Sequence, residues 1–239
     1  MDQNELKRQA AAAAVQFVKP GMVVGLGSGS TAKLAVERIG QLIHEGRLAE
    51  IVGIPASTWI AEEAKHRGIP LSTLEAHPSI DLTIDGADEV GPELNLIKGG
   101  GGALLREKLI ALASRRTIII VDSSKRVPKL GSRWPVPIEV VAFGWNLQQE
   151  YLLSLGATKV TRRLGHDRAV FYTDNGNNIL DATFGPIDDP PHLALAIKAQ
   201  TGIVEHGLFI GIATDVIVAG EDSIEHLQIG AQNGKELQP

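Results

Sequence analysis

Between Asp85 and Glu107 the chain carries two aspartates flanking a Gly-Ala pair, a lysine followed by four glycines, and a glutamate set in a helical pattern. Asp85-Gly86-Ala87-Asp88 puts two carboxylates on one tight turn. Such a pair suits a divalent cation, hydrogen bonds from hydroxyl groups, or simple capping of the turn. Lys98-Gly99-Gly100-Gly101-Gly102 precedes a helix expected from Ala103, so unhindered backbone N–H groups lie beside a helix amino terminus. That arrangement suits an oxyanion or a phosphate. Ordering four glycines costs roughly 0.5–1 kcal/mol each relative to alanine, which favours a functional loop over an incidental turn.

Glu107 is the third group. At helical spacing its neighbours are Ala103, Leu104, Ile110 and Ala111, while Leu105, Leu109 and Leu112 line the opposite side. The expectation is a helix buried on two sides, with Arg106 and Lys108 on its flanks as surface or ion-pair groups. Apolar company favours the neutral carboxyl, whereas the helix amino terminus and Lys98 favour the charged one. This tension suits a general base, the plain alternative being an ion pair at the rim.

Two further features are compatible with an anion. Gly25-Leu26-Gly27-Ser28-Gly29-Ser30-Thr31 joins a strand to a helix like a phosphate cup, yet no Gly-Lys-Ser/Thr follows and Ser30 replaces the third glycine of a dinucleotide fingerprint. Ser28, Ser30 and Thr31 serve equally well as helix caps. Lys125 closes Asp122-Ser123-Ser124-Lys125 and is placed to neutralise a phosphate, or to be an ordinary solvated lysine. The seven histidines are dispersed, with no two at metal-ligand spacing, so each reads as structural or exposed and not as a metal ligand. No Gly-X-Ser-X-Gly elbow appears, which argues against a hydrolase triad.

These groups need a scaffold. Short apolar runs at Met22 to Leu26, Ile51 to Ile54, Asp81 to Ile84 and Thr117 to Val121 alternate with helical periodicity at Thr31 to Glu45, Trp59 to Arg67 and Ala103 to Ser114. Each run is followed by polar, glycine-rich or acidic residues, so the four loops at the strands' carboxyl ends are expected to border one site. Beyond Trp134-Pro135-Val136-Pro137 the order reads strand, helix, three short strands around Thr158 to Thr183, helix, strand. Asp174-Asn175-Gly176-Asn177 marks a turn within it, and Leu208 to Ala219 is apolar enough to return to the main sheet. The fold class is therefore α/β: an open, mainly parallel sheet with helices on both faces (Rossmann-like), plus a smaller α+β subdomain (ferredoxin-like). The expected domains are 1–134 with 207–239, and 135–206.

The composition bounds the rest. At 239 residues, 44% hydrophobic and 21% charged, the chain can bury a sizeable core in one large or two modest domains. A net charge of −5 argues against broad binding to nucleic acid or anionic lipid, so an anion must be bound locally. Charge is also segregated: residues 75–93 hold six carboxylates and no lysine or arginine, whereas 115–133 hold six basic groups and one aspartate. The absence of cysteine removes disulfides and thiolate chemistry and fits a reducing, cytoplasmic setting. The N-terminus reads as an amphipathic helix ending at Pro20-Gly21, not as a signal peptide, and no apolar run is long enough for a spanning helix.

Taken in order, Gly27-Ser28-Gly29-Ser30-Thr31, Asp85-Gly86-Ala87-Asp88-Glu89, Lys98-Gly99-Gly100-Gly101-Gly102-Ala103, Arg106-Glu107-Lys108 and Asp122-Ser123-Ser124-Lys125 resemble the type A ribose-5-phosphate isomerases. The resemblance covers nearly the whole chain, including Thr173 to Asn177. It implies interconversion of D-ribose 5-phosphate and D-ribulose 5-phosphate in the pentose phosphate pathway, without a metal or organic cofactor. It makes Glu107 the catalytic base, and has Asp85, Asp88 and Lys98, with Gly86, Ala87 and Gly99 to Gly101, meet the sugar. Ser28 to Thr31 and Lys125 become phosphate holders, and self-association as a homodimer or homotetramer is expected. The competing readings are another sugar-phosphate enzyme, such as a deaminase or a coenzyme A transferase, and a sugar-phosphate sensor. No basic recognition helix precedes the sheet, which weighs against the sensor.

Overall fold

Five of the six residues in Thr117–Asp122 are β-branched, and all six are buried, as expected of a strand covered on both faces. The strand is the middle one of the seven-stranded sheet in the computed structural model, which describes residues 2–229 and the backbone of 235–237. In chain order the elements are α1 (Gln3–Val15), β1 (Val23–Leu26), α2 (Ser30–His44), β2 (Val52–Pro55), α3 (Thr58–His66), β3 (Leu82–Asp85), β4 (Glu89–Val90), β5 (Leu96–Ile97), α4 (Leu104–Leu112) and β6 (Thr117–Asp122). They continue with β7 (Val136–Val140), α5 (Trp145–Ser154), β8 (Lys159–Arg162), β9 (Asn178–Thr183), α6 (Pro190–Lys198), β10 (Ile203–His206), β11 (Leu208–Phe209), β12 (Asp215–Ala219), β13 (Ile224–Gln228) and β14 (Lys235–Leu237). The chain forms two compact units, Met1–Ala87 with Arg106–Lys125 and Gly211–Pro239, and Asp88–Leu105 with Arg126–Ile210.

The first unit holds a seven-stranded sheet in the order β14-β13-β12-β6-β3-β1-β2, parallel from β12 to β2 with an antiparallel edge. Alternation divides the strand residues between two helical layers. Val24, Leu26, Leu82, Ile84, Ile118 and Ile120 pack with Ala10, Ala14, Ala35 and Ile39 of α1 and α2. Ile54, Ala56 and Ile80 pack with Ile110 of α4, and Val23 joins them. The helices thus cover both faces, as the sequence pattern required. The antiparallel β13 and β14 are not evident in the sequence pattern, because their polar composition shows no strand periodicity.

The second unit holds an antiparallel sheet in the order β10-β7-β9-β8 and a three-stranded sheet β11-β5-β4. Val136, Ile138, Val140, Leu180 and Ala182 share one face with Leu152 of α5 and with Ala194 and Ile197 of α6. Period-2 alternation sends Glu139, Ile179 and Asp181 to the other face.

Three expectations change. Of the three short strands around Thr158 to Thr183, two form, and the middle one reduces to a single bridge between Leu164 and Val170. The turn that follows this bridge satisfies a buried carboxylate instead. Thr173 Oγ1, Asn175 Nδ2 and Asn177 Nδ2 all donate to Oε1 of the fully buried Glu139, at 2.9, 3.1 and 2.9 Å. The run from Leu208 to Ala219 divides between sheets, with β11 joining the small one and only β12 the large one. Finally, α4 is not buried on two sides: Leu109 and Leu112 are 49% and 66% exposed, while Lys108, expected as a surface or ion-pair group, is buried.

Candidate active site

Within the first unit, the loops after β1, β2 and β3 lie side by side because the strands are parallel neighbours in that sheet. The pairing of Leu26 with Ile84 brings Asp85, buried at the end of β3, against the first loop. A Cβ built on Gly27 would stand 2.2 Å from Cγ of Asp85, so this position has no room for a side chain while Asp85 keeps its place. Asp85 Oδ1 accepts the N–H of Gly86 at 2.7 Å, which turns the chain at the strand end. A Cβ on Gly86 would lie 3.7 Å from Cβ of Thr31, so the Asp85-Gly86-Ala87 turn adjoins the start of α2.

The start of α2 is shaped for an anion. Gly29 occupies the cap position with φ +103° and has no side chain with which to cap the opening N–H groups of this 15-residue helix, the end of the helix where the dipole favours an anion. Ser30 is exposed, with Ser28, Gly29 and Thr31 half-buried. Ser28 Oγ lies 2.9 Å from Ser57 Oγ, and Ser57 also caps α3 by accepting the N–H of Ile60 at 3.1 Å. Ser57 therefore ties the first loop to the second. It lies in a loop that the sequence pattern placed at the strand ends, but nothing local marked it as a support.

Lys125 ends a one-turn 3-10 helix after β6 and is half-buried. Buried Asp122 sets that turn: its Oδ1 accepts the N–H of Ser124 at 3.0 Å and the Ser124 hydroxyl, and its Oδ2 accepts from Gln3. Glu107 sits in the first turn of α4, 5% exposed, where the helix dipole stabilises a carboxylate.

The second unit holds the other candidates. Lys98, at the end of β5, is 3% exposed; its N–H donates to the carbonyl of Gly207 at 2.8 Å, and Nζ stands 5.5 Å from the centre of the Phe209 ring. Asp88 Oδ2 accepts the N–H of Gly100 at 2.8 Å, so the second aspartate of the Asp-Gly-Ala-Asp turn holds the glycine loop. Gly102 has φ +84° and carries the ring of Phe171 against it, 2.5 Å from where a Cβ would stand. Glu89, counted with the acidic cluster in the sequence, receives three backbone N–H groups from Gly131, Arg133 and Trp134 at 2.6–2.7 Å and acts as a loop anchor.

Sequence reasoning missed Arg163 and Asp181, which form a bidentate pair at 2.5 and 2.9 Å beside the same glycine loop. Their link to it spans 63–64 residues of chain, so no local signal marks them. No group of three or more histidine, aspartate or glutamate side chains arranged to hold a metal occurs among the described residues.

An open α/β sheet with a helix amino terminus and buried carboxylates at its strand ends defines a Rossmann-like protein equipped for a small, hydroxylated anion. The chain belongs to the ribose 5-phosphate isomerase A (phosphoriboisomerase A) family, whose model matches residues 52–223. A ribose-5-phosphate isomerase A of Chloroflexus aurantiacus is 56% identical over 221 residues, covering 92% of each chain. Among solved structures, a D-ribose-5-phosphate isomerase in complex with phospho-erythronic acid superposes with a TM-score of 0.93 at 39% identity, over 95% of this chain and 100% of that one. The ribose 5-phosphate isomerase of Plasmodium falciparum gives 0.91 at 40% identity, with the same coverage.

Proposed function

We propose that this protein interconverts D-ribose 5-phosphate and D-ribulose 5-phosphate through an enediolate, with Glu107 as the general base. The observation that carries the assignment is the buried Glu107 in the first turn of α4, within a chain of this family. Going from aldose to ketose, the Glu107 carboxylate takes the proton from C2 and returns it to C1. The hydroxyl proton on O2 is lost while O1 gains one, so the atoms balance without an oxidant. One carboxylate serves both directions, as a reversible reaction requires.

The developing negative oxygen needs fixed donors. Lys98 and the loop Gly99 to Gly101 supply them in this reading, with Gly100 held in the loop by its N–H bond to Asp88. Asp85 or Asp88, with Gly86 and Ala87, meets the sugar hydroxyls, and one of the two moves a proton during ring opening. A dianionic phosphate is repelled by these carboxylates, so it belongs at Ser28, Gly29, Ser30, Thr31 and Lys125. The reading includes no metal and no organic cofactor, a homodimer or homotetramer, and a cytoplasmic site of action. No helix among the described residues is long and apolar enough to cross a membrane.

The deciding experiment incubates the purified protein with ribose 5-phosphate in D2O containing EDTA, beside Glu107→Gln. Ketose formation with deuterium entering the product is expected from the parent, and from the variant a rate lower by about 10³. Turnover of the variant at the parental rate would remove Glu107 from its role. Loss of activity on adding EDTA would overturn the metal-free reading.

A further inference from the structure

The glycine loop is held from both edges by groups of the second unit. Arg163 Nη1 donates to the carbonyls of Gly99 and Gly100 at 2.8 and 3.0 Å, while the rest of its guanidinium is locked on Asp181. No peptide bond among the described residues is cis, so each carbonyl points opposite to the N–H of the next residue. In the peptide between Gly99 and Gly100, the carbonyl therefore meets Arg163 while the N–H meets Asp88 at 2.8 Å. In the following peptide the carbonyl again meets Arg163, which turns the Gly101 N–H away from the guanidinium. The N–H of Gly102 is taken by the carbonyl of Gly99 at 2.9 Å. That leaves the N–H groups of Gly99, which is buried, and of Gly101, which is exposed, has no heavy atom within 4 Å of its Cβ position, and makes no hydrogen bond among the described residues.

We propose that Arg163, oriented by Asp181, is a positioning residue for the isomerisation: it fixes two successive peptides by their carbonyls and presents the Gly101 N–H as a ready donor to the enediolate oxygen. The inference rests on the reading above, in which the glycine loop meets the reacting end of the sugar. Arginine suits this position because one planar fork can satisfy a carboxylate and two carbonyls together, which an ammonium group cannot do in that geometry. Without it, the unbranched loop would populate several conformers, and the donor would have to be ordered during each turnover.

The test compares Arg163→Met, Arg163→Lys and Asp181→Asn with the parent and Glu107→Gln, using full-length purified protein. A donor used mainly in the transition state predicts that Arg163→Met lowers kcat by about 100-fold with KM changed by no more than about threefold. Binding of phospho-erythronic acid, whose carboxylate resembles an enediolate in charge, should weaken by about tenfold or more, while inhibition by inorganic phosphate stays at the parental level. Arg163→Lys should restore about tenfold of the lost kcat, and Asp181→Asn should fall between the two. A folded Arg163→Met with parental kcat overturns the inference, as does a loss of phosphate affinity equal to the loss for the acid. If Arg163→Met does not fold, Arg163→Lys decides by the same two criteria, and parental kcat there overturns the inference. An active Glu107→Gln refutes the general-base reading alone, whereas an inactive one beside a parental Arg163→Met refutes only the role of Arg163.

Discussion

Asp85 and Gly27 show how a single missing methyl group decides a site. With 2.2 Å between the Cβ position and Cγ of the buried aspartate, Gly27→Ala must displace one of the two loops. The expected outcome is a fall in kcat/KM of about tenfold or more with circular dichroism unchanged, since the clash is local and one loop can move. Lys125→Ala should raise KM and weaken inhibition by inorganic phosphate, each by about tenfold, because one cation is removed from the proposed phosphate site. Unchanged phosphate inhibition would place the phosphate elsewhere. At this scale the candidates could be picked out, because Asp85, Asp88, Lys98, Gly99 to Gly101 and Glu107 stand close together in the chain, and the structure buries Asp85, Lys98 and Glu107. Glu89 stands among them too, yet its carboxylate is consumed by three backbone N–H groups, a use that residue type cannot reveal. The orientation of α4 is equally hidden, because the same leucine spacing fits a helix covered on one face or on two.

At the scale of elements, Ser57 does two things at once by capping α3 and holding the Ser28 hydroxyl. Ser57→Ala should cost about 1 kcal/mol in urea unfolding, the usual worth of an N-cap. It should also raise KM for ribose 5-phosphate more than it lowers kcat, because the loop it steadies is the proposed phosphate cup. An effect on stability alone would separate the cap from the site. The parallel strands and their helices were legible because each carries a full period of pattern. The two-residue strands β4 and β5 are too short to show alternation, yet Lys98 takes its place at the end of one of them. The pairing of Arg163 with the glycine loop was invisible for a related reason: the contact joins residues far apart in the chain, and the arginine end carries no motif.

For the whole molecule, the loss of stability on acidification has an identifiable source in the first unit. Asp215, at the start of β12, accepts from Arg116 Nε and Nη2 at 2.9 and 2.7 Å, from Thr214 at 2.6 Å and from Gln228 at 2.9 Å, and lies 2.6 Å from His226 Nε2. Burial opposes its charge, but these partners outweigh it and hold the carboxyl well below the ordinary carboxylate range. A lowered folded-state value stabilises the fold above the unfolded-chain pKa of about 3.9, and that contribution fades as pH drops below it. Asp215→Asn should therefore be less stable at neutral pH by about 3 kcal/mol, and its stability should change less than the parent's between pH 5 and pH 2. Urea titrations at several pH values measure both slopes; parallel curves would sink the assignment.

The chain passes from one compact unit to the other after Ala87, Leu105, Lys125 and Ile210, so the first unit is built from three segments and the second from two. A gene inherits such a design differently from a string of modules. No single excision or splice removes either unit whole, and a recombination event that replaced one of them would have to join several breakpoints in register. Three of those breakpoints fall within three residues of Asp85, Asp88, Glu107 or Lys125. Variation in this lineage is therefore expected to arrive by substitution and by change in outlying loops, with the two units descending together as one heritable piece.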